Sequence, residues 1–226
     1  MAIPVLVMGR SGSGKTYSLK NFKADEVGVI SVEKGRLPFK SDIKVARIKP
    51  LMSEEDRQNP TYETINRGKY SYLELLIQKS KLPSIVIDDS QYMLANELFD
   101  RAREKGYDKF THIAANFRDL IHFVNELEDE NKIVYFLHHT EPDGEGREKV
   151  KTIGKMLDEK LTIEGCFDIV IYCKDHMFYT QSNNESTAKS PEGMFDMEMP
   201  NDLKLVDMKI RDYYGMTQEN EQDQAN

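Results

Sequence analysis

The feature that most constrains the fold of this 226-residue chain is a glycine-rich loop between a buried strand and a helix. Residues Gly9 to Thr16 read Gly-Arg-Ser-Gly-Ser-Gly-Lys-Thr and satisfy the pattern G-x-x-x-x-G-K-[ST] in full. The preceding run, Ile3 to Met8, is apolar throughout, as in a parallel strand buried on both faces. The segment Lys15 to Lys23 follows, and its apolar Leu19 and Phe22 lie three residues apart, which predicts a helix. A strand, a loop and a helix in this order predict a phosphate-binding site.

The residue types of the loop indicate the ligand. Glycines let backbone amides converge on phosphate oxygens, and the positive end of the following helix faces the same anion. We expect Lys15 to contact the β- and γ-phosphates of a nucleoside triphosphate, and Thr16 to ligate Mg²⁺. The implied cofactors are therefore ATP and Mg²⁺. The residues expected to contact the nucleotide are Gly9, Arg10, Ser11, Gly12, Ser13, Gly14, Lys15, Thr16 and Tyr17.

Two carboxylates follow other predicted strands. The apolar run Ile85 to Ile87 ends at Asp88, which we expect to hold the Mg²⁺ shell, while capping of the next helix accounts better for Asp89 or Ser90. A catalytic part for Asp89 stays open. The run Val27 to Val32 ends at Glu33. A carboxylate there could orient and deprotonate the attacking water, or it could be an ordinary surface glutamate. The pattern alone leaves both interpretations of Glu33 open.

A polar triplet, His138-His139-Thr140, follows the apolar run Ile133 to Leu137. A side chain at this strand end could sense the γ-phosphate and move the next segment on hydrolysis. The alternatives are a structural histidine and a metal ligand, although the sequence offers no third ligand at suitable spacing. The segment 141–151 contains glycines, a proline and many charges, which predicts a mobile loop.

Alternation of apolar strands with helices predicts an α/β fold, in which helices flank a mostly parallel sheet on both faces. Residues 168–173 and 177–181 predict an antiparallel hairpin near the C-terminus, followed by a helix from Asn201 to Tyr214. Segment 50–70 is polar and predicts a surface excursion, with a helix only from Tyr72 to Lys79. We expect one domain, 1–215, and a disordered acidic tail, 216–226.

Composition limits the function. The formal net charge of −8 argues against a constitutive, nonspecific nucleic-acid coat protein, which would be basic. No apolar run reaches the roughly 20 residues that cross a bilayer. The chain begins without a cationic leader, and Cys166 and Cys173 lie in no metal-binding pattern. These features predict a cytoplasmic protein.

Taken together, the motifs resemble a family. The chain is similar to phage-encoded RecA-like ATPases of the Sak single-strand annealing type over about residues 3–215. Besides Gly9–Thr16, Glu33 and Asp88-Asp89-Ser90, the resemblance includes the His138-His139 strand end, Ile153-Gly154-Lys155-Met156-Leu157 and Ser190-Pro191-Glu192-Gly193-Met194-Phe195.

The resemblance implies a RecA-like core that acts on single-stranded DNA beside a single-strand binding protein, in a bacteriophage-infected cell. It implies that Glu33 is the catalytic base and that 141–151 is where a DNA-binding loop lies. Such enzymes often sense the γ-phosphate with Gln, whereas this chain has His139 or His138. Many assemble as rings or filaments in which a basic residue reaches the next subunit's ATP, and Lys189 is the candidate for that contact.

The leading hypothesis is thus a Mg²⁺-dependent ATPase of DNA recombination or replication, with Lys15, Glu33 and His139 in catalysis. A nucleotide-gated protein-interaction module with little hydrolysis, resembling a helicase loader, is the alternative. A nucleotide kinase fits less well, because the lid of such enzymes is rich in arginine and 141–151 contains one.

Overall fold

A single central sheet organises the chain. The computed structural model describes residues 1–33, 35–154 and 162–216. The strands are β1 (Ile3–Gly9), β2 (Val27–Ser31), β3 (Val45–Arg47), β4 (Ser84–Asp88), β5 (Ile133–Pro142), β6 (Glu148–Val150), β7 (Ile169–Lys174), β8 (Met177–Tyr179) and β9 (Glu198–Pro200). The α-helices are α1 (Glu54–Gln58), α2 (Tyr62–Lys79), α3 (Gln91–Asp100), α4 (Asp108–Glu126) and α5 (Leu203–Tyr214), and 3-10 helices span Thr16–Asn21 and Ile163–Cys166.

The strand order is β3-β2-β4-β5-β1-β7-β8-β9, with β6 paired to β5. The six strands β3, β2, β4, β5, β1 and β7 run parallel to one another. Strands β6, β8 and β9 each pair antiparallel with their neighbour. The prediction of a mostly parallel sheet with an antiparallel C-terminal extension is confirmed. Strand β5 lies between β1 and β4, so the carboxyl ends of these three strands meet at one edge. The loop after β1 and the aspartate that ends β4 therefore lie at the same edge.

Both faces of the sheet are covered. Along β1, Leu6 and Met8 belong to a core with the helices α2, α3 and α4, whereas Val5 and Val7 belong to a core with α5 and the first 3-10 helix. This alternation is the period of two expected of a strand. The all-apolar sequence of the strand follows, because each face packs against helices.

Three segments differ from the sequence prediction. A 3-10 helix, Thr16–Asn21, replaces the helix predicted over 15–23. The excursion predicted for 50–70 is wrong in part, since α1 lies within it and α2 begins at Tyr62, where Thr61 caps the helix. The helical spacing of apolar residues does not extend into this first part of α2, because Asn66 and Gly68 are among its buried residues. Gly68 lets the backbone of Leu51 approach closely, and Leu51 N donates to the Gly68 carbonyl at 2.9 Å.

The third difference is the segment 141–151, which forms a β-hairpin instead of a mobile loop. Strand β5 continues to Pro142, and β6 pairs with it antiparallel, Thr140 opposite Val150. Side chains of opposite charge form ion pairs across the hairpin, as Lys149 Nζ does with Glu141 Oε1 at 3.7 Å. The charged composition that predicted a loop is thus explained by pairs of opposite charge within the hairpin.

None of the helices in the described ranges is long and apolar enough to span a membrane. Residues 217–226 of the predicted tail, and Lys155 in the segment that resembles phage ATPases, lie outside the described residues.

Candidate active site

The glycine-rich loop Gly9–Thr16 begins at the end of β1, and two of its glycines have no room for a side chain. A Cβ on Gly9 would overlap the carbonyl oxygen of Cys173, and one on Gly14 would overlap the side chains of Asn201 and His176. Gly14 also has a φ of +105°, which other residues rarely adopt. Close packing against a backbone carbonyl at Gly9 and against two side chains at Gly14 therefore fixes the path of the loop.

Lys15 lies inside this loop. Its side chain is buried, and Nζ donates to the carbonyl oxygens of Gly9 at 2.7 Å and Arg10 at 3.0 Å. The ammonium group is thus held at the concave side of the loop, where a phosphate would replace these carbonyls as its partner.

Thr16 and Asp88 are brought together from positions 72 residues apart, and Thr16 Oγ1 donates to Asp88 Oδ1 at 2.9 Å. Asp88 is buried at the end of β4, with its backbone carbonyl bonded to Val32 N at 3.1 Å. A hydroxyl beside a carboxylate at a phosphate loop is a donor set of oxygens, which Mg²⁺ prefers. The residue pair fits this metal.

The loop also fits a triphosphate. Ser13 Oγ is buried and makes no hydrogen bond within the described residues. A buried hydroxyl without a partner is costly unless another group satisfies it. A phosphate oxygen in the loop is such a group, so we take the loop, with Lys15 and Thr16, as the site for ATP and Mg²⁺.

His139 lies inside β5, opposite Gly9 of β1, and faces this site. Its Nε2 lies 3.2 Å from Asp89 Oδ1, and its ring contacts Tyr92 edge-on with 6.0 Å between centroids. Asp89 has a φ of +61° and is buried, which turns its carboxylate toward the loop side. The sequence left the role of Asp89 open, and the structure places it in the site beside His139.

His138 points elsewhere. It is fully buried, with Nδ1 at 3.0 Å from Ser90 Oγ and Nε2 at 2.9 Å from the Lys151 carbonyl. Burial lowers the pKa of His138 to about 3, so the imidazole is neutral. Of the two histidines, His139 is therefore the one positioned to sense a bound phosphate.

Glu33 lies two residues beyond the end of β2. Its carboxylate is exposed, and Oε1 accepts a hydrogen bond from Asn96 Nδ2 of α3 at 2.6 Å. Within the described residues, Glu33 makes no hydrogen bond to the loop, to Thr16 or to Asp88. Its role as the base stays a prediction, and in this conformation the carboxylate is bound to the neighbouring helix.

A cleft of about 300 Å³ connects the loop to an aromatic corner that the sequence analysis did not identify beyond Tyr17. The Tyr17 ring meets Phe39 and His176 edge-on, each with 6.1 Å between centroids. His176 has a φ of +59° in the turn between β7 and β8, and its N–H donates to the Ser13 carbonyl. The residues lining the cleft are Ser11, Gly12, Gly14, Lys15, Thr16, Tyr17, Pro38, Asp89, His139 and His176. This corner can hold a nucleobase beside the phosphates.

Arg10 connects the loop to the β5–β6 hairpin. Its Nε donates to Glu148 Oε1 at 2.8 Å, and Glu148 is buried on β6. Burial is the largest single effect and opposes ionisation of this carboxyl, but the hydrogen bond from Arg10, the contact with the Thr140 side chain and the charges of Arg10 and Lys174 together outweigh it and lower the pKa of Glu148 below its ordinary value. The hairpin is thus tied to the phosphate loop by a charged contact.

Lys189 lies away from these groups. Its backbone pairs with Val170 of β7, and its side chain is exposed. Val170 pairs with Leu6 in the middle of β1, three residues before the loop begins at Gly9. The structure does not bring Lys189 to the site of its own chain.

A protein-family model described as "AAA domain" matches residues 1–221. Among solved structures, the chain is similar to an ATPase from the type III secretion system of pathogenic bacteria, at 11% identity and a TM-score of 0.43, over 75% of this chain and 50% of that chain. The chain thus spans about half the length of that structure. A search of curated proteins finds no match.

Proposed function

This chain belongs to the AAA domain family of P-loop ATPases, and we propose that it couples ATP hydrolysis to single-stranded DNA binding or annealing. The setting we propose is phage DNA recombination or replication. The single observation that carries the hydrolytic part is the contact of Thr16 with Asp88 at 2.9 Å, beside the loop that holds Lys15. Oxygen ligands for a metal and a cation for phosphates meet at one sheet edge, as phosphoryl transfer needs.

Each residue has a defined part in this proposal. Lys15 exchanges its loop carbonyls for phosphate oxygens, and Thr16 and Asp88 hold Mg²⁺, which supplies charge neutralisation to the phosphates when bound. Glu33 orients and deprotonates the attacking water after it leaves Asn96. His139, paired with Asp89, responds to the γ-phosphate and passes its state into β5 and the hairpin that follows.

The DNA part of the proposal is supported by the resemblance of the motifs to phage annealing ATPases. We propose that the partners are single-stranded DNA, a single-strand binding protein and further copies of this chain in a ring or filament. Lys189 is proposed to reach the ATP of the next copy, since it is exposed and distant from its own loop.

ATP turnover with and without single-stranded DNA tests the function. We expect stimulation by DNA in the wild type, loss of ATP binding in Lys15→Ala, and retained binding without turnover in Glu33→Gln. Lys23→Ala, an exposed lysine just beyond the 3-10 helix, is the matched control and should behave as wild type. Undiminished hydrolysis by Glu33→Gln would remove that residue from the role of base.

A second function is favoured by one observation, the hydrogen bond that holds Glu33 on Asn96. A carboxylate kept away from the phosphates gives slow turnover, as expected of a nucleotide-gated interaction module. Such a protein would bind ATP tightly, show no DNA stimulation and change its affinity for a protein partner with the nucleotide. Turnover that DNA leaves unchanged, together with no assembly in size measurements, would favour this alternative.

A further inference from the structure

Two aromatic rings are exposed at the junction of α3 and α4, which we define as residues 99–110. Phe99 is 76% and Tyr107 72% exposed, and of the other large apolar side chains in the described residues only Met1, also at 72%, is as exposed. Leaving two such rings in water forgoes hydrophobic stabilisation that burial would give. Large exposed apolar groups in one place mark an interaction site more often than scattered ones do.

The charges between these rings are cationic and available. Arg103 and Lys105 are exposed and form no ion pair with the described residues. Of the three acids in the junction, Asp100 pairs with Lys69 at 3.1 Å and Glu104 with Arg101 at 2.9 Å, whereas Asp108 forms no ion pair with the described residues. The junction therefore offers two unpaired cations against one unpaired acid, and both cations lie between the two rings in the sequence of a chain whose net charge is −8.

The β5–β6 hairpin, where the family resemblance implied a DNA-binding loop, is different. Arg147 pairs with Asp143 at 3.0 Å and with Glu145 at 3.1 Å. Lys149 faces Glu141, and the hairpin places no exposed large aromatic ring beside these cations. Arg147 and Lys149 of the hairpin are thus in ion pairs, whereas Arg103 and Lys105 of the junction form none with the described residues.

The junction is also held in shape. Lys109 Nζ donates to the carbonyl oxygens of Arg101 at 3.2 Å and Glu104 at 2.8 Å, which closes the turn after α3. Gly106 supplies the left-handed residue that the turn needs, at a φ of +87°. Tyr107 lies 6.5 Å from Phe110 between ring centroids, tilted by 31°. A surface fixed in this way loses little conformational entropy on binding.

We infer that the 99–110 junction is a binding site for single-stranded DNA, with unpaired bases stacked on Phe99 and Tyr107 and phosphates contacting Arg103 and Lys105. Stacking on exposed rings requires bases that are not paired, which selects single strands over duplex. The cations supply the sequence-independent part of the affinity. This inference rests on the proposed function, and it assigns the DNA to one surface.

The same helix connects this surface to the ATP site. Helix α3 starts beside Asp89, carries Tyr92 against His139, binds Glu33 through Asn96, and ends near Phe99. Asn96 and Phe99 are three residues apart and so lie about one helical turn apart. DNA on the junction can thereby shift the position of Asn96.

Binding of a fluorescein-labelled oligothymidylate to the full chain, measured by anisotropy over a salt series with an ATP analogue present, tests the inference. We expect Phe99→Ala with Tyr107→Ala, and separately Arg103→Glu with Lys105→Glu, to weaken binding about tenfold or more. The charge variant should also flatten the slope of log affinity against log salt. The controls are Tyr62→Ala and the pair Lys79→Glu with Lys81→Glu, exposed residues at either end of α2, which should bind as wild type.

The outcomes separate the two proposals. If the wild type binds the oligonucleotide and both junction variants bind equally well, the junction is not the site, and the proposed function survives. If the wild type binds no single-stranded DNA in any nucleotide state, the DNA part of the proposed function fails and the inference fails with it. If the variants keep DNA binding and lose self-association, the junction is a contact between copies of the chain. Thermal melting and ATP binding check that each variant is folded.

Discussion

Glu33 and Asn96 show how one side-chain contact can set the activity of the site. The hydrogen bond of 2.6 Å between them joins the predicted base to α3. Thr16 is hydrogen-bonded to Asp88 and not to Glu33. Hydrogen bonds to a charged group contribute about 1.5–3 kcal/mol, which is enough to populate one carboxylate position over another. In the proposed mechanism, in which Glu33 is the base, the contact favours a state of low turnover.

Removing the donor should release the base. We predict that Asn96→Ala and Asn96→Asp each raise ATP turnover without DNA by about tenfold. The reason is that the Glu33 carboxylate loses a hydrogen bond worth about 1.5 kcal/mol or more, and about 1.4 kcal/mol corresponds to a factor of ten. Steady-state phosphate release measures it, with Asn125→Ala on α4 as the control. A second change, Glu33→Gln, should cancel the gain. Turnover that falls in Asn96→Ala would show that the contact supports catalysis instead of restraining it.

His138 predicts a pH dependence of stability. Because burial lowers the pKa of His138 to about 3, against 6.5 for the free imidazole, the unfolded chain binds a proton that the folded chain does not between these values. Stability from this group is present above pH 6.5 and is lost as the pH falls toward 3. At pH 5 the loss is roughly 2 kcal/mol.

Urea unfolding of the wild type and of His138→Gln at pH 7.5 and pH 5 measures this difference. The variant should start less stable, since it disturbs the bonds to Ser90 and Lys151, but should lose less on acidification. An equal loss in both proteins would mean that His138 is protonated in the fold.

The residues of the site were predictable to different degrees. Lys15, Thr16 and Asp88 belong to patterns whose chemistry requires those residue types at the ends of strands, so the sequence was sufficient to find them. Asn96 and His176 could not be found, because they meet Glu33 and Tyr17 only through the tertiary fold. The Asp175-His176 pair indicates a tight turn between two strands, but not that the turn covers the phosphate loop.

At the scale of elements, apolar runs predicted the strands well, since strands buried on both faces need continuous hydrophobic sequence. Helix α2 was only partly predicted. Asn66 and Gly68 occupy buried positions of this helix, and apolar residues there would have produced the helical spacing of hydrophobic residues that predicts a helix. The β5–β6 hairpin was missed for a related reason. Its stability comes from main-chain pairing and opposite charges, which in sequence are typical of a loop.

Helix α5 is anchored to the sheet by buried polar contacts. Asp207 accepts hydrogen bonds from Ser84 Oγ, Tyr135 OH at 3.0 Å and Arg211 Nε at 2.6 Å. Arg211 also donates to backbone carbonyls of Asn131 at 2.8 Å and Pro83 at 3.0 Å. This network joins the last helix to the starts of β4 and β5. It fixes the position of the helix along the sheet, which apolar packing alone would not do.

Breaking the network should destabilise the fold. We predict that Asp207→Ala lowers the free energy of unfolding by about 3–5 kcal/mol, because the change leaves Arg211 buried without its carboxylate. Asp212→Ala, on the exposed side of the same helix, should change stability by less than about 0.5 kcal/mol. Urea denaturation followed by circular dichroism gives both values. Equal stability of the two variants would mean that the network contributes no more than a surface charge.

At the scale of the whole molecule, α3 connects the ATP site to the surface that we propose for DNA. Coupling between two binding sites is reciprocal, so a triphosphate that tightens DNA binding has its own binding tightened by DNA by the same factor. We propose that the two ligands favour the same position of α3. The −8 charge is consistent with this conditional binding, since the chain lacks the overall positive field of proteins that coat nucleic acid permanently.

The most direct test is the affinity for an oligothymidylate with no nucleotide, with ADP and with a slowly hydrolysed ATP analogue, in wild type and in Lys15→Ala. We predict that the analogue tightens binding by the wild type at least about fivefold, the lower end of typical coupling between sites. Lys15→Ala should show one affinity in all three states. A wild-type affinity that is the same with and without the analogue would contradict the account.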